Sequence, residues 1–300
     1  MFVSCALGVG AAVLAQVSSA SAQTAAVGQT MTPDALNSCV PSGGPLNTSM
    51  ELFQTSSADG TSYAVPTDGV VTSWSFKGSG VQGSQVTLRV YRSLAAGTDR
   101  YVPVGDGGPV TLRSGDQEFV TPARITVKAG DVIGLRSERF GITPGGTCAA
   151  TGGGADTYRF LAGAVATDIG ATASYSESRG LRIDVSATVE PDADGDGYGD
   201  ESQDACPRLA STQAPCPIPN TRIIRKPASR THHRIARFTF TSNVAGATFQ
   251  CRLDHHAAHR CTSPVTIKVE PGRHTFRVRS RANSAVDPSP AKSRWRVRTR

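Results

Sequence analysis

The chain has 300 residues, of which 38% are hydrophobic and 6% aromatic, with 31 Gly and 18 Pro. That length suggests two domains, while short apolar runs with abundant Gly, Ser and Thr favour an all-β fold and leave no long apolar helix to cross a membrane beyond the N-terminus. The formal net charge of +7 hides a split: residues 217–300 carry 18 basic and 3 acidic residues (18 − 3 = +15), and residues 1–216 carry 13 and 21 (13 − 21 = −8). Two regions of opposite sign argue for two domains with different partners.

Residues 1–22 read MFVSCALGVGAAVLAQVSSASA. An apolar stretch followed by Ala20-Ser21-Ala22 has the small-x-small pattern of a secretory signal peptide, and it is too short to span a bilayer. The chain is therefore expected to be exported, with neither a transmembrane segment nor a C-terminal anchor. Loss of Cys5 with the signal leaves six of the seven cysteines, an even number suited to an oxidising compartment. Sequence proximity pairs Cys206 with Cys216 and Cys251 with Cys261, and elimination then pairs Cys39 with Cys148.

Residues 23–189 show a period of two. VVTSWSF places Val70, Thr72, Trp74 and Phe76 on one face. QVTLRVY places Val86, Leu88 and Val90 on one face, with Thr87, Arg89 and Tyr91 on the other. LRIDVSATV sets Leu181, Ile183, Val185, Ala187 and Val189 against Arg182, Asp184 and Thr188. Such alternation marks half-buried strands of antiparallel sheets. Eight or so strands separated by turns such as VGDGG and KAGD predict a β-sandwich of jelly-roll type. Tyr91 and Tyr101 are the candidates for exposed platforms that carbohydrate could stack on; the alternative is a packed sandwich whose aromatics fill its core. No His occurs here, which excludes Ser-His-Asp and Cys-His catalysis confined to this domain.

Residues 190–216 contain PDADGDGYGDESQDACP. Six acidic groups lie between Asp192 and Asp204, a density that repels itself unless a cation is present. Asp192, Asp194 and Asp196 stand at i, i+2 and i+4, and Gly197 permits a sharp turn after them. Alternate residues of a tightly wound loop point inward together and offer the oxygens that Ca2+ requires, with the Tyr198 backbone carbonyl as a further donor. The alternative is a solvated acidic linker, which the regular spacing disfavours. The pattern D-x-D-x-D-G-x-G-D followed by D-x-C-P resembles one thrombospondin type 3 repeat, over Asp192–Pro207. That resemblance implies that Asp192, Asp194, Asp196, Asp200 and Asp204 ligate calcium and that Cys206 belongs to a disulfide. The family's spacing puts the last aspartate where Gln203 stands, with Asp204 one residue later. An EF-hand would need Glu at that place. The expected affinity is that of extracellular modules, on the order of 10⁻⁴–10⁻³ M, and the expected role is to stiffen the joint between two sandwiches.

Residues 217–300 alternate again. ARFTF, TFQCRL, PVTIKV, HTFRVRSR and SRWRVRTR place Phe238, Phe240, Phe249, Cys251, Ile267, Phe276, Val278, Trp295 and Val297 inward. Six or seven strands in this length fit an Ig-like or fibronectin III-like sandwich. FQCRLDHHAAHRCTSPV and EPGRHTFRVRSRANSAVDPSPA resemble the small Ig-like repeat of secreted proteins from GC-rich bacteria, actinobacteria especially, which implies a hairpin bridge from Cys251 to Cys261 and an interaction or spacer module. Arg277, Arg279 and Arg281 face outward from one strand, and Arg294, Arg296, Arg298 and Arg300 from another. If these strands are neighbours, their like charges destabilise the sheet unless a polyanion covers them, such as an anionic cell-wall polymer, anionic lipid or nucleic acid; the alternative is a row of solvated arginines on the non-core face. Sequence-specific nucleic-acid recognition is not expected, since no helix is available to enter a groove. The run His255, His256 and His259 is expected at a solvated hairpin tip.

These readings converge on a secreted, calcium-binding, non-enzymatic protein of cell-surface attachment or extracellular binding. The alternative is a carbohydrate-active hydrolase or carbohydrate-binding protein with a surface-docking C-terminal module.

Overall fold

The computed structural model describes residues 23–30, 36–38, 49–80, 85–113, 115–138, 147–163 and 167–299. The expected signal segment, Cys39 and Arg300 lie outside this set, as does the side chain of Cys148. The Cys39–Cys148 pairing therefore falls outside the described residues. Among those residues there is no helix, and the fold is all-β.

The first part of the chain forms β1 (Ala25–Gln29), β2 (Leu36–Ser38), β3 (Ser49–Ser56), β4 (Gly69–Gly80), β5 (Gln85–Ser93), β6 (Arg100–Thr111), β7 (Gly115–Val127), β8 (Val132–Glu138), β9 (Thr147–Thr151), β10 (Thr157–Gly163), β11 (Ala173–Ser174), β12 (Ser176–Arg179), β13 (Leu181–Ile183) and β14 (Val185–Glu190). That is fourteen elements where sequence periodicity suggested about eight. The surplus is mostly two- to five-residue strands, too short to carry a legible alternation. A four-stranded sheet has the order β1-β14-β4-β7, and a seven-stranded sheet the order β11-β6-β5-β8-β3-β10-β12. Their apolar faces meet in one core of Val71, Trp74, Phe76, Leu52, Leu88, Val90, Ile125, Leu135 and Val185. The Trp74 indole N–H donates to Gly107 O at 3.2 Å. Buried Trp is accommodated in this way, with its polar end satisfied by backbone.

The seven-stranded sheet is buried on both faces at its centre, which corrects the half-buried reading of β5. Tyr91 is fully buried, Tyr101 is 8% exposed and Arg89 is 1% exposed. A second cluster of Phe53, Tyr91, Tyr101 and Tyr175 covers this far face, with Phe53 stacked on Tyr91 at 4.3 Å. Arg89 is held by Glu51 Oε1 at 2.8 Å and by Asp106 Oδ1 at 2.7 Å, and it donates to Thr167 O at 2.6 Å. Tyr175 O–H donates to Glu51 Oε2 at 2.6 Å. The charge is tolerated because every partner is present. Tyr91 and Tyr101 are consequently core residues and not surface platforms.

The remaining strands are β15 (Thr221–Arg225), β16 (Arg230–Thr231), β17 (Ile235–Ser242), β18 (Thr248–Leu253), β19 (His259–Cys261), β20 (Val265–Lys268), β21 (Gly272–Ala282), β22 (Ala285–Val286) and β23 (Ala291–Val297). One sheet has the order β15-β17-β20, and the other β16-β23-β21-β18-β19 with β22 beside β21. They enclose a second core, in which Phe238 stacks on Phe276 at 4.1 Å and meets Trp295 edge-on at 5.3 Å. A disulfide joins Cys251 to Cys261 across β18 and β19, and another joins Cys206 to Cys216.

Candidate metal centre

The acidic loop leaves β14 at Glu190, and its first residues wind tightly. Gly195 and Gly197 both have positive φ, 76° and 83°, a region open to glycine at no steric cost. Asp192 organises this winding: its Oδ1 accepts from the N–H of Gly195 at 2.8 Å and of Asp196 at 3.1 Å, and its Oδ2 from Gly197 N–H at 3.0 Å. Asp196 Oδ1 accepts from Tyr198 N–H at 2.9 Å, and its Oδ2 from the Gln213 amide at 2.7 Å. Asp200 Oδ1 accepts from Ala193 N–H at 3.1 Å.

This wrapping brings carboxylate oxygens of Asp192, Asp194 and Asp196 within 4.8 Å of one another. Both oxygens of Asp194 are buried and accept no hydrogen bond. Asp204 is 4% exposed; its Oδ1 accepts from Cys206 N–H at 2.7 Å, while Oδ2 is buried without a partner. Burial, and then the charges of Asp196, Asp204 and Asp192, raise the Asp194 pKa above its ordinary value, against the opposing pull of the nearby Asp196 N–H. The Asp200 carboxyl is raised by burial and by the charges of Asp192, Asp194 and Asp204. The five aspartates named from the sequence thus form one electrostatic group, although Asp200 and Asp204 are outside the tight trio. Buried carboxylate oxygens without donors are costly, and a hard cation fits this donor set, which is all oxygen. Tyr198 contributes its ring to the surroundings: the Arg124 guanidinium lies over it at 4.4 Å.

Glu190 and Gly199, which sequence reasoning did not single out, and Gln203, which it noted only as a departure in spacing, fasten the loop to the first sandwich. Glu190 is 4% exposed. Its Oε1 accepts from the Thr72 hydroxyl at 2.9 Å, and its Oε2 from the N–H of Glu201 at 2.9 Å and of Ser202 at 2.8 Å. Burial opposes its charge, but these donors hold its carboxyl below the usual range. Gln203 donates to Ala123 O on β7 at 2.8 Å and accepts from Gly199 N–H at 3.2 Å. It is a strut, which is why the inward-facing acid comes one residue later at Asp204. Gly199 lies so close to Thr72 and Glu190 that a Cβ has no room. The fastening bonds run to β4, β7 and β14, all strands of the first sandwich.

The predicted arginine rows lie on adjacent strands. β21 and β23 pair antiparallel with Arg273 opposite Arg296 and Arg277 opposite Lys292. Arg277, Arg281, Arg294, Arg296 and Arg298 are exposed, and Arg279 is half-buried against Gln250 Oε1 at 3.0 Å. His255, His256 and His259 are exposed at the β18–β19 turn.

No family model matches this chain, and neither does any curated protein. Among solved structures it is similar to the glycoside hydrolase domain of Endo-D from Streptococcus pneumoniae R6, at 10% identity and a TM-score of 0.21, over 91% of this chain and 37% of that one. A β-D-glucuronidase from Dictyoglomus thermophilum aligns at 11% identity and a TM-score of 0.22, over 93% and 45%. The BSP domain of a biofilm-associated protein aligns at 10% identity and a TM-score of 0.23, over 91% and 51%. The chain spans between about a third and about a half of those structures' lengths. At these scores the likenesses carry no argument about function, and the fold description rests on the chain's own sheets.

Proposed function

We propose that this is an exported, non-enzymatic calcium-binding protein of cell-surface attachment or extracellular binding, in which residues 190–216 hold one Ca2+. The observation that carries the reading is the set of buried oxygens without donors, both of Asp194 and Oδ2 of Asp204, beside the Asp192–Asp194–Asp196 group. Asp192, Asp194, Asp196, Asp200 and Asp204 would hold the ion, with the Tyr198 carbonyl as a further donor. When bound, the ion supplies positive charge that cancels the repulsion among these carboxylates. The chain's own residues supply the rest. Asp192 shapes the loop, Glu190 and Gln203 fasten it to the first sandwich, and the Cys206–Cys216 bridge fixes Asp204 through the Cys206 N–H. Calcium then makes a rigid exit for the chain toward residue 217. A carbohydrate-active first domain would need a surface other than Tyr91 and Tyr101.

Titration calorimetry on the chelator-stripped full chain tests this. One site with a Kd on the order of 10⁻⁴–10⁻³ M is expected, abolished by Asp194→Asn and retained in Asp59→Asn, which removes an exposed charge elsewhere. Equal heats in both variants contradict the assignment.

A further inference from the structure

The outer face of the larger C-terminal sheet carries more cations than its two arginine rows. Parallel pairing sets Arg230 of β16 beside Arg296 of β23. Antiparallel pairing sets Arg296 beside Arg273, and Arg277 beside both Lys292 and Arg252. Gln250, two residues before Arg252, stands opposite Arg279 on one side and Arg260 on the other. Cations therefore continue across all five strands of the sheet order β16-β23-β21-β18-β19.

They also line a continuous depression. A groove of ≈ 540 Å³ is bounded by Arg230, Arg273, Arg294, Arg296 and Arg298. A second, of ≈ 430 Å³, shares Arg273 and Arg294 with it and adds Arg252, Arg277 and Lys292. A third, of ≈ 220 Å³, shares Arg252 and Arg277 with the second and adds Arg279. The three form one oblique track across the sheet.

Ion pairs do not account for these charges. Among the described residues from 217 onward, the pairs are Arg234–Glu270 and His274–Asp254. Neither involves an arginine or lysine of the track, although His274 borders its first groove. Asp254 borders the second groove but already accepts from His274 Nδ1 at 2.9 Å and Thr275 N–H at 2.6 Å. Partial desolvation and the neighbouring Arg294 and Arg277 lower the Lys292 pKa, as an uncompensated cation row requires. Like charges directly opposite across a sheet are destabilising, so an anion has stability to return on binding.

We propose that this track binds a linear, base-free phosphodiester polymer lying across the strands. Neighbouring strands are ~4.8 Å apart and outward residues on one strand recur every ~6.6–6.8 Å, a spacing that phosphates of an extended chain can follow. Guanidinium forks grip phosphate oxygens in pairs. Phe249 and Phe276 belong to the core on the other face of this sheet; Trp295 and His274 border the first groove, but Trp295 is 3% exposed with its ring against Phe238, and His274 is held between Asp254 and Glu270 O. The track therefore lacks the stacking platforms that single-stranded nucleic acid uses and the exposed apolar groups that insert into a lipid surface. The inference goes beyond calcium binding and does not depend on it, because it rests on residues 230–298 and not on the acidic loop.

The test uses the full chain and a labelled poly(glycerol phosphate) chain as probe, with binding followed by fluorescence anisotropy as salt is varied, in the presence of chelator. Arg277→Ser with Arg294→Ser should weaken binding by at least about tenfold, and should flatten the slope of log K against log salt by about 1.4, since each contact to a flexible strand contributes ~0.7. Arg222→Ser with Arg237→Ser removes the same charge from the other sheet and should change binding less than about twofold. Circular dichroism of each variant establishes that it is folded. Equal weakening by both pairs means diffuse charge attraction and overturns the proposal. So does oligo-dT, or an anionic vesicle, binding as tightly as poly(glycerol phosphate).

Discussion

Replacing Asp194 by Asn should change the stability of the protein in opposite directions with and without calcium. The Asp194 oxygens are buried without donors and lie within 4.8 Å of carboxylate oxygens of Asp192 and Asp196. Two full charges at that distance repel by about 3.5 kcal/mol at an effective dielectric constant of ~20. Water and salt at a half-exposed loop reduce the realised strain to the order of 1 kcal/mol. In chelator the variant should therefore be more stable by about 1 kcal/mol. At calcium ~100-fold above Kd the wild type gains about 2.7 kcal/mol. A variant whose affinity is about a hundredfold lower gains about 0.4 kcal/mol at the same concentration. The order then reverses, with the variant less stable by about 1.3 kcal/mol. The assay is urea unfolding followed by fluorescence. Trp74 and Trp295, one in each core, are the chain's two tryptophans, and a Trp295→Phe background leaves Trp74 to report the first sandwich. If Asp194→Asn is destabilising by the same amount in chelator and in calcium, Asp194 is a packing residue and the electrostatic reasoning fails.

Three further outcomes follow from the same geometry. Glu190→Gln keeps the shape but weakens three hydrogen bonds at the root of the loop; it should cost about 1–3 kcal/mol and lower calcium affinity in calorimetry, and an unchanged affinity would mean that the loop folds independently of the sandwich. His274 places Nδ1 on Asp254 at 2.9 Å and Nε2 on Glu270 O at 2.7 Å, two acceptors that only an imidazolium satisfies together. Burial opposes that charge, but the carboxylate and carbonyl hold the His274 pKa above its ordinary 6.5. The group's contribution is thus present below the unfolded value and lost as pH rises through the folded one; NMR titration should place the His274 midpoint above 6.5, and Asp254→Asn should lower it. Arg89→Met leaves buried Glu51 without its counter-charge, and Asp106 with Arg136 at 3.5 Å, in the first sandwich; it should cost about 3–5 kcal/mol, read as a shift in urea midpoint, and a loss below about 1 kcal/mol would show that the ionic cluster is dispensable.

The acidic loop was legible because its information is local. Asp192, Asp194 and Asp196 with Gly197 express a winding that depends on neighbours in sequence. The same reading named Asp204 as a ligand only through the resemblance and gave Gln203 no role, because their orientations are decided by the Cys206 N–H and by Ala123 O on β7, the latter eighty residues away. The arginine rows were legible as alternation, but their register was not: Arg296 with Arg273 on one side and Arg230 on the other is a product of pairing between distant strands. Alternation misled at β5. A strand with Arg89 and Tyr91 on one face reads as half-exposed, and it becomes buried only because Thr167 and Tyr175 close over that face.

The most direct test of the central claim is anomalous diffraction from a crystal of the full chain grown in millimolar calcium. The account predicts an anomalous peak at about 2.3–2.6 Å from oxygens of Asp194 and Asp204, with the remaining aspartates of the loop around it. Well-ordered carboxylates surrounded by water alone, with no such peak, would contradict it.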